Sequence, residues 1–336
     1  MKVRKVRLIV TAISIAALHA WALPVLAQET PIVLRFAGTI AATHHISKGM
    51  VMFGDSVAKR TNGRVKVETY PASTLFKASD LGGAISSGAV DLGHNITAVW
   101  SKTPIADVMD LPFLIRDASH AQKAWAKDGP LFKAYAADME KKGMRTLHVK
   151  FYGSLFDFVT NVRQLRTSAD FKGMKIRSYG ALAAESLRTL GATPIVMDPS
   201  EYYMALQRGT IDGVITGISS IDAAKLWEAG KYVTHTSAGF AAFVVNMNSS
   251  RYDKLPNDVK RAIEVAGEEV QNWSAEEAKR GDAKSLEFLR GKRQVHVLTA
   301  AERQDWARRL QPVIDSWKAR ASKEERDVVA WIQSLR

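Results

Sequence analysis

Between Pro31 and Asn248 the chain keeps switching period, and that alternation restricts its fold more than any other feature. "PIVLRFAG" (31–38) reads as a strand. Ile46, Met50, Phe53 and Val57 then mark one face of a helix, which "TNG" ends. "RVKVETYP" (64–71) reads as a second strand, a helix follows around Ala78 to Ser87, and "AVDLGHNI" supplies a third strand. Strands separated by helices imply an α/β fold, a parallel or mixed sheet with helices on its faces.

The pattern continues. Ser119 with Gln122 has the spacing of a helix-opening capping box. "GMRTLHVKFYG" (143–153), "LFDFVTN", "MKIRS" and "ATPIVM" read as strands, with a helix over Ala181 to Leu190. "DPSE" (198–201) reads as a helix start with Asp198 as N-cap. "RGTIDG" (208–213) suits a tight helix-to-strand connection in which Asp212 holds backbone amides. Strand character returns at "GFAAFVVNMN" (239–248). Val259, Ile263, Ala266, Val270 and Trp273 then form a regular apolar seam, which predicts a helix from Pro256 to about Leu289 despite Gly267 and Gly281. Thr299 with Glu302 caps a further helix, whose Trp306, Leu310, Val313 and Trp317 make a buried face.

The first 27 residues differ from the rest. Lys2, Arg4, Lys5 and Arg7 precede an apolar run ending near Leu23, and small residues at Val25 and Ala27 suit cleavage before Gln28. We read this as an export signal; the rival, an uncleaved anchor, needs a longer and less interrupted apolar run. The formal charge is +13, and removing four bases and no acids leaves 13 − 4 = +9. A cationic surface attracts anionic solutes, whereas nucleic-acid binding has no supporting motif. The chain has no cysteine, which excludes disulfides, thiolate catalysis and lipid attachment at a cysteine. No HExxH, P-loop, GxSxG or GxGxxG motif occurs, so neither an enzyme nor a cofactor is expected. "THH" (43–45) is the best metal candidate, but adjacent histidines on an extended chain point to opposite faces, and no metal is expected there.

"DFKGMKIRSYG" (170–180) raises the functional question. A core strand has no use for Arg177. The run "THHISKGMVMFGDSVAKRTNGRVKVETYPASTLF", then "AISSGAVDLG", "DLPFL", "VTNVRQLRTSADFKGMKIRS", "LGATPIVM" and "SEYYMALQRGTIDG", resembles the solute-binding proteins of TRAP transporters, the DctP family, in order and spacing. The resemblance covers most of residues 31–248. It implies a two-lobe periplasmic binding protein fold with crossing strands and a long bracing helix. The lobes it implies are 28–152 plus about 243–282, and about 153–242 plus about 283–336. It implies a monomer that is free in the periplasm, traps a small organic acid by hinge closure, and makes peripheral, transient contact with TRAP membrane subunits.

In such proteins the arginine ending "KGMKIR" holds the solute carboxylate, a role that falls on Arg177. Three departures follow. A second arginine common before "FTN" is replaced by Asp157, Thr216 stands where an asparagine is usual, and Pro199 replaces an aromatic. These departures favour a monocarboxylate with an apolar or aromatic tail, or with an amine that meets Asp157. By position, His44, Asn95, Trp100, Phe156, Tyr179, Phe240 and Phe243 are further pocket candidates. Rival readings are a periplasmic sensor, the binding protein of an ATP-driven importer, and an enzyme using Asp157 with His44.

Overall fold

Two mixed sheets carry the fold in a computed structural model that describes residues 31–335; the expected export signal at 1–27 lies outside the described residues. In chain order the strands are β1 (Ile32–Gly38), β2 (Val65–Tyr70), β3 (Leu92–Ile96), β4 (Met144–Leu155), β5 (Asp157–Thr160), β6 (Lys175–Ser178), β7 (Thr193–Val196), β8 (Gly213–Thr216), β9 (Tyr232–His235), β10 (Gly239–Asn248) and β11 (Gln294–Val297). The first sheet runs β2-β1-β3-β10-β4 and the second β11-β9-β5-β8-β6-β7. β1 is parallel to β2 and β3, while β10 lies antiparallel between β3 and β4. In the second sheet β5 is antiparallel to both β8 and β9, and β6 is parallel to β7 and β8.

The sheets exchange chain directly. β4 passes into β5 through Phe156 alone, whose φ of 74° swings the chain from one sheet to the other. The return, from β9 to β10, runs through Thr236, Ser237 and Ala238, with Ser237 also at positive φ. The third link is the helix Asn257–Arg290, close to its expected limits. Its first half packs Val259, Ile263, Ala266 and Val270 against Phe53, Met50 and Leu34 of the first lobe. Its last turns deliver Leu286 and Leu289 to the core under the second sheet. Gly267 does not interrupt it: a Cβ there would come within 2.8 Å of the His148 ring, so the glycine lets helix and β4 approach. Where the links converge, the Ser154 amide donates to Asp282 of this helix at 2.6 Å, and Gly153, at φ 112°, leaves room for that carboxylate.

The core of the first lobe holds basic groups. Lys150 is fully buried, donates from Nζ to the Ile46 carbonyl at 2.9 Å, touches His94 Nδ1 and sits over the Phe36 ring. Two local expectations are corrected. Helix Ala118–Ala124 is capped by Asp117, whose carboxylate accepts from the His120 amide, and not by Ser119. Asp198 does not cap the helix that follows it; that helix, Tyr202–Gln207, begins four residues later, and the Asp198 carboxylate goes elsewhere. The last helix, Lys323–Ser334, leaves the second lobe: Glu325 accepts from the Ile105 amide, and the Ile332 carbonyl meets His120 Nε2 at 2.8 Å.

Candidate functional site

A cavity of about 630 Å³ opens between the two sheets. That is the size class of a small-ligand site. Arg177 reaches it from the carboxyl end of β6 and is 3% exposed. Its Nε donates to the Met197 carbonyl at 2.9 Å and its Nη1 to the Ile215 carbonyl at 3.3 Å. Tyr202 lies under the guanidinium, with 5.1 Å from Cζ to the ring centre. Neutral carbonyls fix the plane of the group without cancelling its charge, and no carboxylate pairs with it among the described residues. Two of its five N–H bonds are used, which leaves three for an incoming group. Burial lowers its pKa, and nearby Tyr202, Tyr152 and Asp198 oppose that; a guanidinium stays charged regardless.

Around this anchor the wall is mostly aromatic and aliphatic: Ile40, Ile96, Val99, Leu155, Phe243 and Tyr179. Thr216 ends β8 on the wall, 3.2 Å from the Tyr152 hydroxyl, which in turn accepts from the Gly217 amide. Tyr152 thus ties β4 of the first sheet to the end of β8 in the second. Asn95 is on the wall as well; its Oδ1 accepts from the Ile96 amide, while Nδ2 is buried without a partner, as is the Tyr179 hydroxyl. Across from them Asp107 and Arg320 line the cavity 3.6 Å apart. Burial raises Asp107 to about 6 against the pull of Arg320.

Of the residues expected from the sequence, Arg177, Thr216, Asn95, Tyr179 and Phe243 therefore share one cavity. Five others do not line it, each for a structural reason. Asp157 is fully buried at the strand crossing, where Ser154 Oγ, the Ile218 and Thr236 amides and His235 Nδ1 meet its two oxygens, so no lone pair is left for a solute amine. His44 caps the helix His45–Arg60: Nδ1 accepts from the Ile46 amide, and Nε2 lies 3.1 Å from Ser219 Oγ. Burial pushes its pKa well down, which keeps it neutral. Trp100 gives its indole N–H to the Asn95 carbonyl and packs in the core. Phe156 sits at the positive-φ crossing and packs edge-on against Phe158. Phe240 lies three residues from Phe243 on one strand, hence on the opposite face.

His44 and Asp157 have separate partners and form no reactive pair. Among the described residues no group of three His, Asp or Glu side chains converges to hold a metal ion, and His45 spends its Nε2 on the Phe151 carbonyl.

Sequence reasoning missed Tyr152, Tyr202, Asp107 and Arg320 on the wall. Tyr202 had a signal, as one of two tyrosines in "SEYY". Asp107 and Arg320 had none, since nothing local relates positions more than 200 residues apart.

Two lobes that exchange strands around a cavity with one unpaired guanidinium define a binding protein of the two-lobed class. The sequence over residues 36–320 matches the family described as bacterial extracellular solute-binding protein, family 7 (DctP). The chain belongs to that family, the solute-binding proteins of TRAP transporters, which are not enzymes. It is 32% identical over 319 residues to the C4-dicarboxylate-binding periplasmic protein DctP of Rhodobacter capsulatus, covering 94% of this chain and 93% of that one. Among solved structures it resembles a sugar acid binding protein from Advenella mimigardefordensis in complex with galactonate (26% identity, TM-score 0.85, 90% of this chain and 98% of that one). A TRAP periplasmic solute binding protein from Shewanella oneidensis with bound succinate shares the fold (23% identity, TM-score 0.84, 90% and 100% covered).

Proposed function

We propose that this protein is the periplasmic receptor of a TRAP transporter for a small organic monocarboxylate with an apolar or aromatic body. The observation that carries this reading is Arg177: a buried cation without an acidic partner, aimed by two carbonyls at a cavity. A carboxylate docks on its free N–H groups as a planar pair, and the body of the solute lies against Tyr152, Tyr202 and Phe243. The amine-bearing alternative loses its support, because Asp157 is off the wall and saturated. The names of similar proteins, which bind a C4-dicarboxylate, galactonate and succinate, support an organic acid as the class.

In this reading residues 1–27 direct export and are removed. The mature chain works as a monomer, closes on its solute and contacts the membrane subunits transiently. The first lobe is residues 28–152 with about 243–282, and the second about 153–242 with about 283–322; residues 323–334 dock back on the first.

A thermal-shift screen over organic acids, followed by calorimetry of the best hit, tests the reading. Arg177→Ala is expected to raise its Kd about 100-fold or more, since an unpaired buried charge partner costs roughly 3–5 kcal/mol. Retained affinity in that variant rejects the anchor.

A further inference from the structure

Asp198 ends up far from the role its sequence suggests. Its Oδ2 accepts from the backbone amide of Ala78 at 2.7 Å, the first residue of helix Ala78–Ser86 in the other lobe. Its Oδ1 accepts from Ser73 Oγ, also of the other lobe, at 3.0 Å. The Ser200 amide and hydroxyl, at 2.9 and 2.7 Å, hold that same oxygen in place. Three residues on, Glu201 meets Lys77 Nζ at 2.7 Å, again between lobes. Lys77, Ala78, Asp198 and Glu201 all line the cavity that holds Arg177. The residue before Asp198 is Met197, whose carbonyl accepts from Arg177 Nε. One peptide unit therefore separates the group that aims the anchor from the group that grips the opposite lobe.

We infer that Asp198 is a positioning residue: it latches the lobes across the cavity mouth and, through Met197, couples that closure to the placement of Arg177. The latch rests on the reading of Arg177 as the solute anchor, but its own contacts lie entirely within the protein. Burial raises the carboxyl pKa, but the Ala78 and Ser200 amides and the two serine hydroxyls outweigh it, so the latch carries its charge at neutral pH. A carboxylate at the start of a helix meets free N–H groups and the positive end of the helix dipole. Lys77 and Glu201 are more exposed and add less.

The chain has no cysteine, so spin labels can be placed at Val51→Cys and Val162→Cys, both half-exposed and on different lobes. Pulsed electron–electron resonance then reads the lobe separation in buffer alone, and amide exchange reads Ala78. Asp198→Ala is expected to lengthen or broaden the separation and to speed exchange at Ala78 by about tenfold, the loss of one hydrogen bond to a charged group. Asp198→Asn, which keeps one acceptor oxygen, should fall between. A merely local role would loosen Ser200 and leave both readouts unchanged, and that result overturns the latch. Because both are read without any acid, failure of the latch is distinct from failure of the anchor, which shows as unchanged affinity of Arg177→Ala for the best acid of the screen.

Discussion

Arg177 in the second lobe and Lys150 in the first are both buried basic side chains with no carboxylate partner among the described residues, yet burial acts on them differently. Burial penalises the charged form of each. A primary amine can escape the penalty by giving up its proton, and burial pushes the Lys150 pKa well down. A guanidinium cannot, so Arg177 keeps its charge and exposes it to the one thing that can answer it, an acid entering the cavity. The neighbours match. Around Lys150 stand His44, His45, His94 and His148, all held below their ordinary pKa by desolvation first, with Lys150 as a lesser cause. Around Arg177 stand carbonyls and a tyrosine face, which suit a cation. Burial alone therefore does not mark a binding cation; the chemistry of the group and its shell does.

Acid should break the first region before the second. Burial holds His148 at about 3 and His45 at about 4, so below pH 6.5 their unfolded forms take up protons that the folded forms refuse. Folding stability falls as pH drops from 6.5 through those values, by ~5 and ~3 kcal/mol respectively. His148→Leu should remove its own share, ~3 kcal/mol between pH 6.5 and 4, seen as a flatter acid limb in urea melts over that range. An unchanged limb would mean that the ring is solvated.

Arg177→Lys sharpens the contrast from the other side. It keeps a charge but loses the fork held by Met197 and Ile215, so calorimetry should show affinity down about 30-fold. Equal affinity would make the two cations interchangeable. Lys150→Met should raise stability at pH 7 by about 1–3 kcal/mol, because no amine then has to be buried. In the parent, the lowered Lys150 pKa should make stability climb as pH rises toward 10.5, because the folded lysine gives up its proton before the unfolded one does; the variant should lack this slope. The smallest effect belongs to Tyr202→Leu. Removing the ring under Arg177 should weaken binding about three- to tenfold, the size of a partly desolvated cation–π contact.

Much of this was legible in the sequence. The strands at 239–248 and 175–178 and the 34-residue helix fall where periodicity puts them, because each buries one face of a regular element. Arg177 was visible through its motif and its misfit with a core strand. The errors share a cause. Asp198 satisfies every local rule for an N-cap, and only the tertiary fold brings Ala78 and Ser73 to it first. Asp157 and Phe156 were judged by their place just before "VTN", and position in a motif does not foresee that a non-glycine residue at φ 74° turns the chain between β4 and β5. Asp107 and Arg320 meet only once the lobes have assembled.

The position of β10 bears on how such a chain matures. It is the inner strand that joins β3 to β4, so the first sheet has a missing rung until residues 239–248 are available. The second sheet likewise waits for β11 at its edge. Neither sheet can be completed from contiguous chain: the first closes only with residues 239–248 and the second only with residues 294–297, so both are finished late in folding.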